Sequence, residues 1–297
     1  MSTASADKRS QGLGIAAMSA AALLLTLNDA VTKLLTETYS VGQVLTLRQL
    51  CSLIVILPYV HFVSGWRALR INNRSGMAIR AVCFIATTGL IVYSFSRLPL
   101  ALVTAIAFSS PIFVVALSRL FTNERVSARR WFAVLAGFAG VLVIVRPGTA
   151  DFAPVLIFPV LAALSAGVRD VVTRALSRSD SSISILFWST LAVVAASSLS
   201  LLEGWKPVSA PAAGLLVING MLGGTAHFLI IEALRLGDAS LVAPFRYTAL
   251  IWATLLGFLI WGQLPDGWTL LGAVILVASG FYLIEREAGR TASRPEG

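Results

Sequence analysis

The chain has 297 residues, of which 57% are hydrophobic and 12% charged, with a formal net charge of +9 and a mean hydropathy of +0.84. So few polar side chains cannot cover a water-soluble globule of this length, which excludes a soluble enzyme and makes lipid the expected solvent. The basic residues do not gather on one soluble face, so nucleic acid is not expected as a partner.

A hydrocarbon core of about 30 Å takes about 20 apolar residues in a helix. Ten such windows are predicted, near 13–35, 44–63, 77–95, 99–121, 131–147, 154–176, 183–203, 211–233, 239–261 and 268–285. They are too long and too evenly apolar for barrel strands, so the fold class is an all-α membrane protein. The longest polar joint, 64–76, is too short for a soluble domain, and function must lie within the helices.

In chain order, the first window is read as a retained helix, not a cleaved signal, and it ends in "LNDAVTKLL". Charge inside hydrocarbon costs several kcal/mol unless it is paired or wetted, so Asp29 and Lys33 are candidates for a substrate contact or gate. Their spacing, acid first and four residues apart, equally suits a structural ion pair. Arg48 in the second window lies toward the same surface and is a candidate partner of Asp29. Tyr93 in the third offers a flat face for a ring-bearing substrate. The sixth window ends in "VRDVVTRAL", giving Asp170 and Arg174. His227 in the eighth follows the small-residue run "GMLGGTA" and is either a proton carrier or a hydrogen-bonded structural histidine. In the ninth, Arg246 follows Pro244 and either binds an anionic or carbonyl group or pairs with Glu232. Tyr247 beside it is a second candidate flat face.

Cys51 and Cys83 fall inside windows, so neither a disulfide nor a metal site is expected. The absence of a phosphate loop and of a serine-histidine-acid arrangement leaves no nucleotide motor, catalytic centre or cofactor in view.

The opening segment and "VRDVVTRAL" lie about 141 residues apart, with Asp29, Thr32 and Lys33 answering to Asp170, Thr173 and Arg174. "SRLPLALVTAIAFSSPIFVVAL" and "LRLGDASLVAPFRYTALIWATL" repeat at nearly the same separation. Two matches in one order point to a duplication with halves 1–150 and 151–297. Five passes per half is an odd number, so the second half enters the membrane inverted, the arrangement that lets two bundles rock about a midplane site. Lys8, Arg9, Arg67, Arg70, Arg74, Arg129, Arg178, Arg235 and Arg286 fall at the termini or in alternate joints, which places both termini in the cytoplasm.

The joint "FTNERVSARRWFAVLAGFAGVLVI" and the end "APFRYTALIWATLLGFLIWGQLPDGWTLLGAVILVASGFYLI" resemble the drug/metabolite transporter superfamily, in its EamA-type branch of ten-helix carriers. The resemblance implies a central cavity lined by spans 1 to 4 and 6 to 9, with spans 5 and 10 peripheral. Family members commonly carry Gly-Glu after spans 4 and 9; here Glu124 remains, but the second copy reads Gly262-Gln263. "NDAVTKLL" and "PFRYTALIWA" are most similar to a bacterial subgroup of riboflavin and S-adenosylmethionine importers.

The expected function is a secondary transporter of the bacterial inner membrane that moves a small polar metabolite by alternating access. Riboflavin uptake ranks first, ahead of S-adenosylmethionine or amino-acid transport and metabolite or drug efflux. Downhill movement ranks ahead of proton symport, because an Asp held by Lys33 or Arg174 stays ionised. The expected partners are the substrate and the lipid bilayer, with a homodimer left open. An integral-membrane enzyme is the competing reading, and it would need its charges gathered at one interface.

Overall fold

A computed structural model describes residues 2–122, 128–147, 153–177, 179–236 and 243–291; the side chains of 2–11, 118–122, 128–130, 174, 231, 232, 234, 235, 243, 244 and 283–291 lie outside the description. Regular structure among the described residues is helical throughout. Seven helices are long and apolar enough to cross a bilayer, and three shorter ones, Trp131–Val145, Phe245–Trp261 and Gly267–Tyr282, bring the passes to ten.

Span 1 is α1 (Ser2–Thr36), span 2 is α2 (Val41–Tyr59) and span 3 is α3 (Arg74–Phe95). Span 4 is broken into α4 (Leu100–Ala107) and α5 (Ser110–Thr122). The hydropathy window at 99–121 is continuous, but Pro111 has no N–H for the ladder and its ring crowds the Ala107 carbonyl, so the helix restarts there. Span 5 is α6 (Ala128–Val145), span 6 is α7 (Ile157–Leu176), span 7 is α8 (Ser182–Ser197) and span 8 is α9 (Ala210–Leu236). A 3-10 turn, Ala243–Tyr247, leads into span 9, α10 (Thr248–Trp261), and α11 (Gly267–Thr291) is span 10.

The most extensive helix packings are related by exchange of the two halves. Helix α1 packs along α9 and α3 along α7, which is span 1 on span 8 and its counterpart, span 3 on span 6. Likewise α2 on α9 answers to α3 on α8, and α5 on α7 answers to α10 on α1. The self-related pairs are α2 with α8, α4 with α10 and α6 with α11. The chain is therefore two inverted five-helix repeats whose packing is largely between halves. Even the capping repeats: Ser40 accepts from the backbone N–H of Gln43 at the start of α2, and Ser181 from that of Ser184 at the start of α8, each satisfying one orphan donor.

Spans 5 and 10 form a peripheral pair held by small residues. A Cβ on Gly272 would stand 2.6 Å from the Gly140 carbonyl, and one on Gly140 would stand 3.0 Å from the Gly272 carbonyl. Gly140 and Gly272 thus set how closely the two backbones approach.

Candidate functional site

Helices α1, α2, α3, α7, α8 and α9 enclose a cavity of about 230 Å³. Its polar lining comes from both halves: Asn28 and Asp29 from α1, Arg48 from α2, Arg169 from α7, and Asn219 and His227 from α9. A second cavity of about 150 Å³ lies between α1, α3, α4, α9 and the turn before α10. Leu25, Asp29 and Ile91 belong to both walls, so the two cavities adjoin; together they are called the chamber. The second lobe is mostly apolar, lined by Met18, Phe95, Phe108 and Ile230, with Arg246 as its cation.

The backbone of α9 makes room for the first lobe. A Cβ on Gly220 would meet the backbone of Cys51 at 2.7 Å, so only glycine lets α9 lie this close to α2. Gly223 and Gly224 continue the same face into the lining.

A hydrogen-bonded layer lies toward each end. At the end carrying Tyr39, Thr32 Oγ1 accepts from Arg48 Nη1 and from Asn219 Nδ2, both at 3.0 Å, and donates to the Asn28 carbonyl at 2.8 Å. Asn28 and Asn219 bond reciprocally: Asn28 Nδ2 donates to Asn219 Oδ1 at 2.9 Å, and Asn219 Nδ2 to the Asn28 carbonyl at 2.8 Å. Beyond them, Gln43 Nε2 donates to the Lys206 carbonyl at 2.7 Å, and Tyr39 Oη accepts from the Ser209 backbone N–H at 3.2 Å.

At the end carrying Asp180, Arg80 Nε donates to Thr173 Oγ1 at 2.8 Å, and its Nη1 donates to Ser189 Oγ and to the Ile185 carbonyl. Thr173 is the duplicate of Thr32. Beyond it, Asp180 accepts from the backbone N–H groups of Asn72 at 2.7 Å and Asn73 at 3.2 Å. Trp188 Nε1 donates to the Leu69 carbonyl at 2.8 Å, and Ser181 Oγ to the Ala68 carbonyl at 2.6 Å. The Ser179 hydroxyl and the Asn72 and Asn73 backbone N–H groups hold the Asp180 carboxyl below the usual carboxylate range, against a smaller opposing effect of burial.

The residues singled out from sequence divide as follows. Asp29, Arg48, His227 and Arg246 line the chamber. His227 Nδ1 lies 2.8 Å from the Gly223 carbonyl, a contact that needs the proton on Nδ1 and turns the other nitrogen loose as an acceptor. Lys33 does not complete an ion pair with Asp29. Its Nζ donates to the carbonyls of Phe95 at 3.0 Å and Leu98 at 2.7 Å, where the end of α3 presents carbonyls without helical partners. The expected cluster of three therefore reduces to Asp29 and Arg48. Asp170 pairs with its neighbour Arg169 at 2.8 Å, and it is Arg169 that reaches the chamber.

Tyr93 packs edge-on against Phe158 with ring centroids 4.7 Å apart and stays out of the lining. Tyr247 is buried between Phe108 and Phe281, a wall behind the second lobe. The side chains of Arg174 and Glu232 lie outside the described residues, and so does Glu124. Arg80 and Asn219 escaped the sequence reading: Arg80 stands close to the basic joint Arg67–Arg74, and Asn219 carries no charge.

A family model, the EamA-like transporter family, matches residues 12–146 and again 153–284. The chain is 30% identical over 260 residues to an S-adenosylmethionine uptake transporter of Rickettsia felis, covering 88% of each chain. It is 29% identical over 244 residues to a riboflavin transporter of Vibrio cholerae, covering 81% of each. A solved crystal structure covers 95% of this chain and 99% of its own with a TM-score of 0.60 at 19% identity, a likeness of fold.

Proposed function

The chain belongs to the EamA-like transporter family, and from that premise we propose that it is an importer of S-adenosylmethionine or a closely related zwitterion. The supporting observation is the chamber between the repeats, where Asp29, Arg48 and Arg169 line one cavity. Riboflavin is uncharged at neutral pH and uses neither sign of charge; S-adenosylmethionine carries a carboxylate, an ammonium and a sulfonium. The order expected from the sequence is therefore reversed. Riboflavin is the second reading, favoured by the likeness to the Vibrio cholerae transporter and by the aromatic surface of Phe108 in the second lobe.

Asp29, Arg48, Arg169, His227 and Arg246 serve as substrate contacts, and the layers at Thr32 and Thr173 serve as alternating gates. Halves 1–150 and 151–297 rock against each other. The basic joints favour cytoplasmic termini, an orientation in which the Asp180 end faces the cytoplasm and the Tyr39 end faces outward. Uptake of labelled S-adenosylmethionine and of labelled riboflavin into proteoliposomes tests the reading. Saturable entry of the first, competed weakly by riboflavin, supports it; entry of riboflavin alone turns the order back.

A further inference from the structure

Arg48 enters the chamber with 9% of its surface exposed. One guanidinium nitrogen, Nη1, bonds to Thr32, while Nε is shielded from solvent and has no hydrogen-bond partner among the described residues. A buried cationic donor left unsatisfied costs free energy, and nothing in the gate needs that donor. Asp29, one helical turn from Thr32, lines the same cavity and its neighbour. Arg48 and Asp29 nonetheless form no ion pair: among the described residues the ion pairs within 4.0 Å are Arg146–Asp266 and Arg169–Asp170. A carboxylate and a guanidinium thus share one chamber wall without touching.

The gap selects its occupant by charge. A simple anion meets Asp29, and a simple cation meets Arg48 and Arg169. A group carrying both charges a few bonds apart satisfies each side. We propose that Arg48 and Asp29 form a head-group site for an α-amino carboxylate, Arg48 taking the carboxylate and Asp29 the ammonium. The less polar remainder of the substrate extends past Leu25 and Ile91 into the second lobe, against Met18 and Phe108. The substrate class is then an α-amino acid with a bulky group at its far end. The inference rests on the transport reading and adds which atoms hold which charge.

The test is competition for labelled S-adenosylmethionine uptake into proteoliposomes by two analogues, one lacking the carboxylate and one with a ketone in place of the amine. Wild type should discriminate against each by about tenfold or more, the scale of a charge-assisted hydrogen bond. Arg48→Gln should collapse discrimination against the carboxylate-free analogue to about twofold while keeping discrimination against the amine-free one; Asp29→Asn should do the reverse. Arg48→Lys, which keeps the charge but not the fork, should give an intermediate ratio and serves if the Gln variant does not fold. Equal inhibition of wild type by all three compounds, or unchanged ratios in the variants, overturns the head-group site. Uptake of riboflavin without S-adenosylmethionine overturns the site and leaves the carrier intact, whereas uptake of neither overturns the transport reading itself.

Discussion

Arg80 and Asn219 do the same work at opposite ends of the molecule: Arg80 Nε donates to Thr173 Oγ1 and Asn219 Nδ2 to Thr32 Oγ1. The two donors lie about 139 residues apart on spans 3 and 8, and the two acceptors about 141 apart on spans 6 and 1. Each bond crosses from one half of the chain to the other. Both are made in this structure. The matching donors differ in charge, a guanidinium on Thr173 and an amide on Thr32, and Thr32 accepts in addition from the Arg48 guanidinium. Hydrogen bonds from charged donors contribute about 1.5–3 kcal/mol and neutral ones about 0.5–1.5.

Arg80→Met removes bonds to Thr173, Ser189 and the Ile185 carbonyl and should open the Asp180 end. A cysteine at Thr190, which lines the chamber, should label from that end about tenfold faster or more in the variant, in a background with Cys51 and Cys83 replaced. Unchanged labelling would make Arg80 a packing residue.

Asn219→Ala should bias the molecule the other way, exposing the chamber at the Tyr39 end. Combining it with Arg80→Met should bring the two accessibilities back toward balance, since the latches oppose each other in one equilibrium. A double variant as one-sided as Arg80→Met alone would contradict that coupling.

The spans and their inversion were legible because hydropathy over about 20 residues is a strong signal and five is an odd number. Asp29 and Arg48 were legible because charge in hydrocarbon needs a reason. That filter passes over Asn219, which is neutral, and it discounts Arg80, which follows Arg74 by less than two turns and looks like part of the basic joint. Lys33 was misread because helical spacing reveals only local partners, whereas the carbonyls it caps come from residues 95 and 98. The break at Phe108 was written in Pro111, but hydropathy averages over it.

Gly272→Val should destabilise the protein through the peripheral pair. The new Cβ would lie 2.6 Å from the Gly140 carbonyl, and overpacking of this kind costs about 1–3 kcal/mol. Thermal unfolding in detergent should show a lower Tm, with the substrate affinity of the folded fraction unchanged, because spans 5 and 10 do not line the chamber.

The Asp180 carboxyl is held below the usual carboxylate range by Ser179, Asn72 and Asn73. A carboxyl with a lowered folded value adds stability that is fully present above its unfolded value and is lost as pH falls through the folded one. Wild type should therefore lose thermal stability on acidification below the ordinary carboxylate range. Asp180→Asn should start lower at neutral pH and show a shallower acid decline; a decline as steep as that of wild type would remove Asp180 from the latch.

If the chamber between the inverted halves opens to each side in turn, a reporter on its wall is reached from both faces of the membrane. Thr87, on its wall, provides the reporter: with Cys51 and Cys83 replaced, Thr87→Cys is exposed to a membrane-impermeant thiol reagent from one face of sealed proteoliposomes and then from the other. Labelling from both faces is expected, suppressed from both by saturating S-adenosylmethionine, with Arg80→Met raising only the rate from the Asp180 face. Labelling confined to a single face in wild type and in both latch variants would contradict alternating access.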